Sequence, residues 1–221
     1  MNSSKEEIYM STNTKKASRG SVVRLTVTAM LIALIAIMGF TPIGFIRIAP
    51  LGLELTLIMV PVIVGAVTQG PAVSAILGAA FGIVSFIQCF TGSVLGGILL
   101  SESAIKTFIV CFAPRLLTGW LCGLIFKACE KHDKKKSWSF LVASISGSLL
   151  NTLLFLGFLA LLFMNFTFSA EQTAAMGGVD SAISTVVLIA TGINAPIELI
   201  VCAILGTATG KGVSAATKKI G

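Results

Sequence analysis

A nearly continuous apolar stretch from Glu54 to Phe86 limits what this chain can fold into more than any other part of the sequence. The stretch is long enough for two helices of roughly 15 residues or more. A turn signal at Gln69, Gly70 and Pro71 divides it, so we expect a helical hairpin in a membrane. Small residues in its second arm recur three and four positions apart and predict close packing against another helix; they are Ala75, Gly78, Ala79 and Gly82.

The overall composition agrees with a protein embedded in a membrane. Hydrophobic residues make up 55% of the chain and charged residues 11%, and the mean hydropathy is +0.97, all outside the range of soluble domains. The 221 residues leave room for about six spans of ~20 residues each. We therefore expect an all-α membrane protein with six transmembrane helices in one domain over residues 21–210, and cytosolic tails over residues 1–20 and 211–221.

The distribution of positive charge indicates how the helices are oriented. Thirteen of the 16 lysines and arginines lie before residue 25, between residues 127 and 136, or after residue 210. Arg47 and Lys106 fall in predicted external segments, and Arg115 falls inside a predicted span. The positive-inside rule then puts both termini in the cytosol, in agreement with an even number of spans. The net charge of +7 is explained by topology rather than by nucleic-acid binding.

The remaining spans and loops follow from apolar runs and from helix breakers. We expect spans at about residues 21–40, 106–128, 138–165 and 183–208 in addition to the two arms of the hairpin. Prolines and glycines between Pro42 and Gly52 predict a structured external loop. A second, glycine-rich loop is expected from Thr91 to Glu102, and it either covers a cavity or only connects two spans.

Cysteine and histidine residues give no pattern that is typical of a metal site. The five cysteines contain no CxxC pair and lie in or beside apolar segments, so we interpret them as small buried hydrophobes rather than as metal ligands or disulfides. The single histidine, His132, lies in a hydrophilic connector, where we expect neither metal binding nor acid–base catalysis. No cofactor is expected.

Several polar residues lie inside the predicted spans, where they are costly unless they face a partner or a cavity. At 1.5 Å of rise per residue, they lie roughly 13 to 21 Å from the external ends of three different spans; they are Arg115, Asn194, Asn151 and Glu198. Thr152 follows Asn151, and Gln88 lies near the far end of the third span. These residues predict a polar binding pocket in the external half of the bundle.

Two alternatives stay open for these polar residues. Arg115 and Glu198 could pair and hold helices together without binding anything. If Glu198 is instead a packing or proton-relay residue on the cytosolic side, Arg115 is left to bind an anionic ligand through paired hydrogen bonds to a carboxylate.

Ala29 and Ala33 in the first span form an AxxxA step, which serves either ordinary helix packing or docking of another subunit.

A set of local sequences resembles the substrate-binding S component of an energy-coupling factor (ECF) vitamin transporter. The matching segments are Ala29/Ala33, the hairpin from Pro61 to Phe86, Pro114-Arg115, GSLLNT at residues 147–152 and INAPIE at residues 193–198. The resemblance implies six transmembrane helices in a prokaryotic plasma membrane, with a vitamin bound near the external face. It also implies a T component, which docks on Ala29 and Ala33, and two ATPase subunits as partners.

Within that family the chain is most similar to the S components for pantothenate, pyridoxine and hydroxymethylpyrimidine. Many of these relatives carry a histidine where this chain has Met59, so the vitamin stays open. Arg115 favours a carboxylate substrate, of which pantothenate is the best candidate.

Proteins of other classes fit the sequence less well. A membrane enzyme would need a nucleophile with its base or a metal site, and none of the usual motifs is present. A self-sufficient proton-coupled secondary transporter stays an alternative because Glu198 could carry a proton and Pro196 could break a helix. A purely scaffolding role is a third. No nucleotide-binding loop of the GxxxxGK[ST] type occurs, so any ATP must be handled by partners.

Overall fold

The computed structural model describes residues 3–41, 44–48, 53–133, 137–167, 169–175 and 195–220. In chain order its elements are α1 (Ser3–Phe40), β1 (Phe45–Ile48), β2 (Leu53–Thr56), α2 (Met59–Gln69), α3 (Pro71–Thr91), α4 (Val94–Glu102), α5 (Ala104–Glu130), α6 (Ser137–Phe163), α7 (Ala170–Ala175) and α8 (Ala195–Ile220). The regular structure in these ranges is helical except for the two short strands, so the predicted all-α membrane bundle is confirmed.

Five helices in the described part of the chain are long and apolar enough to cross a membrane. They contain the segments Ser21–Phe40, Pro71–Thr91, Ala104–Glu130, Trp138–Phe163 and Ala195–Val213. The first four agree with the predicted first, third, fourth and fifth spans. The fifth covers the second part of the predicted sixth span, and residues 183–194 of that span lie outside the described residues.

The second predicted span differs from the expected length. Helix α2 has only 11 residues, or ~16 Å at 1.5 Å per residue, because the chain just before it forms a hairpin. Strands β1 and β2 pair antiparallel, with Ile46 opposite Leu55 and Arg47 opposite Glu54. Pairing gives the groups of Leu53–Thr56 that face β1 hydrogen-bond partners without a helix. The apolar run is therefore divided between a strand and a short helix.

Although it is short, α2 lies at the centre of the bundle. Val62, Ile63 and Ala66 are fully buried, and they belong to one core cluster with Ile35 of α1 and Phe81 of α3. A helix that is apolar on every side is stable in a protein core or in lipid. Residues 59–67 of α2 have no polar side chain, which fits the central position of the helix.

The segment from Thr91 to Glu102 is also more regular than expected. Its residues from Val94 onward form helix α4 instead of a loop, although Gly96 and Gly97 both have low helix propensity. The side chain of Ser93 accepts a hydrogen bond from the backbone N–H of Gly96 at 3.2 Å and caps the helix start. This cap and the burial of Leu99 against Val110 of α5 stabilise a helix that its glycines would otherwise weaken.

Helices α3 and α5 pack with their backbones in contact. A Cβ atom on Gly78 would overlap the carbonyl oxygen of Arg115, and one on Gly82 would lie 2.8 Å from the Cα of Phe112. From the opposite side, a Cβ on Gly119 would overlap the carbonyl oxygen of Ser74. The small-residue stripe predicted on α3 thus packs on α5, which carries a reciprocal glycine stripe that the sequence analysis did not single out.

Candidate functional site

Arg115 is an intramembrane arginine whose surroundings depend on the proline before it. Pro114 has no backbone N–H, so the carbonyl oxygen of Val110, four residues earlier, cannot receive its usual helical hydrogen bond. The Arg115 Nη1 atom donates a hydrogen bond to that oxygen at 2.7 Å. Only 8% of Arg115 is exposed. The Pro114-Arg115 pair therefore forms a local unit in which the arginine satisfies the carbonyl that the proline leaves open.

Two aromatic rings enclose the rest of the guanidinium group. Its Cζ atom lies 4.4 Å from the ring centroid of Phe155 on α6 and 5.5 Å from that of Phe81 on α3, both within the range of cation–π attraction. Its buried Nε atom has no hydrogen-bond partner within the described residues. The cation is thus held by α3, α5 and α6 while one of its donors is unused.

A second buried polar contact joins α6 to α8. Asn151 Nδ2 donates to Glu198 Oε1 at 3.4 Å, and the two side chains are 4% and 3% exposed. Among the described residues, the buried Oδ1 atom of Asn151 has no hydrogen-bond partner. This pair therefore contains an acceptor that the described protein leaves unsatisfied.

The two polar groups lie on the same side of α6. Phe155, which contacts Arg115, is four residues and about one turn beyond Asn151. The charges of Arg115 and Glu198 are also close enough to interact electrostatically. We call Arg115, Asn151 and Glu198, together with the Phe81 and Phe155 rings, the polar layer. Its polar side chains come from α5, α6 and α8, the three predicted spans with intramembrane polar residues, and Phe81 adds a ring from α3.

The other predicted pocket residues have different positions. Thr152 is half-buried beside Asn151, and Asn194 lies outside the described residues. The amide of Gln88 donates to the carbonyl oxygen of Gly39 on α1, so its described hydrogen bond joins α3 to α1 rather than to the polar layer. No local sequence pattern indicates this contact, because Gly39 lies 49 positions away.

Phe81 and Phe155 are site residues that the sequence analysis missed. In an apolar helix a phenylalanine at helical spacing looks like any other core residue. Phe81 is fully buried, and only its position beside Arg115 distinguishes it. Arg115 indicates that such neighbours must exist, since a buried membrane cation needs neighbours that compensate its charge, but it does not indicate which residues they are.

Comparison with protein families decides which kind of membrane protein has this arrangement. The family model for the substrate-specific component of ECF transporters matches residues 23–206, which is most of the chain and all of the polar layer. The chain belongs to this family. A comparison with curated protein sequences finds no match.

Membership in the family gives the S component its general role. It is a multi-pass membrane protein and a subunit of a transporter, and the family is not one of enzymes. The family also implies a small-molecule substrate, together with an ECF T component and ATPase subunits as partners. This favours the predicted S component over the self-sufficient secondary transporter.

The predicted docking residues of the S component lie on its surface. Ala29 and Ala33 are both exposed on α1, while Leu31 and Ile35 on the same helix belong to the core. Only 17% of the apolar part of α1 that could cross a membrane is buried, against 44% of the corresponding parts of α3 and α5. Helix α1 is therefore peripheral, and its small-residue stripe faces away from the bundle.

A separate groove of about 540 Å³ lies at the C-terminal end of α5. It is lined by Ala128, Cys129, His132, Asp133, Trp138, Ser139 and Val142. The Asp133 carboxylate accepts hydrogen bonds from the backbone N–H groups of Trp138 at 2.7 Å and Ser139 at 2.9 Å, so it caps the start of α6. In the described ranges, no three His, Cys, Asp or Glu side chains are placed to hold a metal ion. We assign this groove to helix capping rather than to the substrate.

Proposed function

We propose that this S component binds a small water-soluble vitamin with a carboxylate group, and that pantothenate is the best candidate. The proposed substrate-binding residues are Arg115, Asn151, Glu198, Thr152 and Asn194. Gln88 is left out of this set, because its amide hydrogen-bonds to α1 instead. The bound vitamin is delivered to the cell by a complex with a T component and two ATPase subunits in the plasma membrane. One observation carries the proposal: an unused buried donor and an unused buried acceptor occur in the same polar layer.

The two unused atoms define the chemistry of a suitable ligand. A buried donor or acceptor without a partner costs roughly 1–3 kcal/mol, and a ligand that satisfies both atoms recovers this cost. Arg115 Nε needs an acceptor, which a carboxylate supplies, and Asn151 Oδ1 needs a donor, which a hydroxyl or amide N–H supplies. Pantothenate carries all three groups. Pyridoxine and hydroxymethylpyrimidine carry hydroxyl groups but no carboxylate.

The surroundings of Arg115 strengthen such an interaction. Its hydrogen bond to Val110 and its contacts with Phe81 and Phe155 hold the guanidinium in one orientation before any ligand arrives. A pre-oriented guanidinium loses little freedom on binding a carboxylate. Burial also excludes water, which would otherwise compete for the same hydrogen bonds.

The test compares ligands on detergent-purified protein by isothermal titration calorimetry. We expect pantothenate to bind more tightly than pyridoxine and hydroxymethylpyrimidine. We expect Arg115→Ala to weaken pantothenate binding by roughly 10- to 100-fold, because a charge-assisted hydrogen bond contributes about 1.5–3 kcal/mol. The matched control is Arg24→Ala, which removes an exposed arginine near the start of the first span.

Two outcomes would contradict the proposal. A folded Arg115→Ala protein that binds pantothenate as tightly as the wild type would remove Arg115 from the site. Tighter binding of pyridoxine or hydroxymethylpyrimidine than of pantothenate would leave the S-component role intact, but it would show that pantothenate is not the substrate. Native mass spectrometry of the purified protein gives an independent measurement, because it detects any small molecule that co-purifies.

We also propose that Ala29 and Ala33 form the surface on which the T component docks. Small residues let a partner helix approach the α1 backbone closely. The exposure of both residues and the low burial of α1 support this assignment.

A further inference from the structure

Two cysteine thiols meet near the ends of α3 and α5 that adjoin α4. The Sγ atoms of Cys89 and Cys111 are 3.6 Å apart, and the residues are only 7% and 6% exposed. They are 22 positions apart in the sequence, so no CxxC spacing reveals them. Both residues are buried, as predicted, but nothing in their spacing indicates that the fold brings them together.

The packing around the pair keeps the two sulfur atoms in place. A Cβ atom on Gly96 of α4 would lie 2.7 Å from the Cys89 sulfur, so α4 covers that thiol closely. Cys89 Sγ also lies 3.4 Å from the carbonyl oxygen of Ser85. On the other side, the backbone contact between Gly82 and Phe112 fixes the separation of α3 and α5 next to Cys111. The two thiols are therefore held side by side by three helices.

We propose that Cys89 and Cys111 are a redox site that closes to a disulfide between α3 and α5. The sulfur atoms need to approach by roughly 1.5 Å to reach the bond length of a disulfide, about 2.05 Å. A bond of this kind would covalently join the helices that supply Phe81 and Arg115 to the polar layer. Only the two thiols take part in this reaction, which depends neither on the vitamin nor on the docking surface.

Hydrogen peroxide is a sufficient oxidant for this reaction, because it is small and uncharged. One thiolate attacks a peroxide oxygen and becomes a sulfenic acid, while the other oxygen leaves as hydroxide and is protonated to water. The second thiol then attacks the sulfenic sulfur, a disulfide forms, and the sulfenic oxygen leaves as a second water molecule. In total the two thiols lose two electrons and two protons, and one peroxide molecule gives two water molecules.

The other cysteines offer a matched comparison. Cys122 is fully buried as well, but its sulfur donates to the carbonyl oxygen of Ala143 on α6 at 3.3 Å. Its described hydrogen bond is therefore to a backbone atom, whereas Cys89 and Cys111 have their sulfur atoms within 3.6 Å of each other. Cys122→Ser should leave the proposed reaction unchanged, and Cys89→Ser should abolish it.

The experiment treats the reduced, purified full-length chain with hydrogen peroxide and then alkylates the remaining thiols with iodoacetamide under denaturing conditions. We expect peptide mass spectrometry to find a cross-link between Cys89 and Cys111, with near-complete loss of alkylation at both and retained alkylation at Cys122. Dithiothreitol should restore alkylation. The same cross-link should form in Cys122→Ser and be absent in Cys89→Ser.

Either of two results would overturn the inference. One is full alkylation of Cys89 and Cys111 after a peroxide treatment that converts Cys129, the half-buried cysteine, to a sulfenic acid. The other is a cross-link from Cys111 to a different cysteine at an equal or greater rate. Circular dichroism of each variant before oxidation shows that the helical fold is retained, so that a missing cross-link reports on the thiols.

Discussion

At the scale of single residues, the Pro114-Arg115 pair explains how an arginine is retained inside a membrane helix. Proline removes the hydrogen bond that the Val110 carbonyl would receive, and the arginine replaces it. This structural role uses one nitrogen of the guanidinium, and Nε has no hydrogen-bond partner among the described residues. The proposed binding role can therefore occur in the same side chain, and mutation of Arg115 alone would disturb both roles.

A double-mutant cycle separates the two roles. We expect Arg115→Ala to lower the free energy of unfolding by about 1–3 kcal/mol, because the buried Val110 carbonyl loses its donor. In the Pro114→Ala background the backbone N–H of residue 114 satisfies that carbonyl, so Arg115→Ala should cost much less stability. Binding of pantothenate should remain weak in the double variant.

Thermal unfolding in detergent and calorimetric titration measure the two quantities. Equal stability losses from Arg115→Ala in both backgrounds would show that Arg115 and Pro114 do not act as a unit. Recovery of binding in the double variant would show that Arg115 acts on the ligand only through the fold.

Glu198 gives a second prediction at this scale. Its carboxylate accepts a hydrogen bond from Asn151, but its negative charge repels a carboxylate ligand bound in the same layer. Glu198→Gln keeps an oxygen for Asn151 and removes the charge, so pantothenate should bind roughly three- to tenfold more tightly. Weaker binding, measured by the same titration, would mean that the Glu198 charge itself contacts the ligand. Asn151→Leu is the comparison variant, and we expect it to weaken binding.

The sequence could predict the charged and amide members of the polar layer because such groups are costly in a membrane. Arg115, Asn151 and Glu198 were selected on that argument alone. It could not predict the bond between Arg115 and the Val110 carbonyl, since an arginine beside a proline does not specify its acceptor. The position of Gln88 against α1 depends on packing of α1 on α3, which no local pattern contains.

At the scale of helices, the contact between α3 and α5 determines where the polar layer can form. Glycines on both helices let the backbones touch at Gly78 and Gly119, and this brings Phe81 of α3 to the Arg115 side chain. One glycine stripe could be predicted because its spacing leaves a bare face on α3. Its partner could not be identified from the sequence, since several helices contain small residues at similar spacing.

A matched pair of glycine variants tests this contact. Gly78→Ala puts a Cβ atom onto the Arg115 carbonyl oxygen and should destabilise the bundle by about 1–3 kcal/mol. At Gly157, on α6, a Cβ meets nothing within 4 Å, so Gly157→Ala should be neutral or stabilise the helix by roughly 0.5–1 kcal/mol. The measurement is the thermal unfolding midpoint of each variant in the same detergent. Equal midpoints for the two variants would mean that α3 and α5 are not packed as closely as described.

Elements were harder to predict wherever tertiary pairing competes with an apolar pattern. Helix α2 is shorter than the run from Glu54 suggests, because strand β2 takes the first part of that run. Helix α4 forms across Gly96 and Gly97 because Ser93 caps it and neighbouring helices cover it. Hydropathy identifies membrane segments well, but it does not show that part of such a segment pairs as a strand.

At the scale of the whole molecule, α1 is attached to the bundle along one face and exposed along the other. Gln69, at the end of α2, contacts α1 twice: its carbonyl oxygen accepts from Arg24, and its side-chain oxygen accepts from Thr28, both at 3.3 Å. Near the other end of α1, Gln88 donates to the Gly39 carbonyl. These contacts hold the helix in place without using its small-residue stripe, so that stripe is available to a partner.

This division predicts that vitamin binding and transport can be separated by one substitution. Ala33→Leu adds a bulky side chain to an exposed position, so the isolated S component should fold and bind its vitamin with a Kd within about twofold of the wild type. In the complete complex the added side chain should prevent close helix contact and lower ATP-dependent uptake by roughly tenfold or more. Gly157→Leu adds similar bulk to the exposed side of α6, away from the proposed docking surface, and should leave uptake nearly unchanged. The measurement is uptake of radiolabelled vitamin into proteoliposomes that contain the S, T and ATPase subunits. Unchanged uptake for Ala33→Leu would assign the stripe to lipid instead of the T component, whereas equal loss from both variants would show only that added bulk disturbs the bundle.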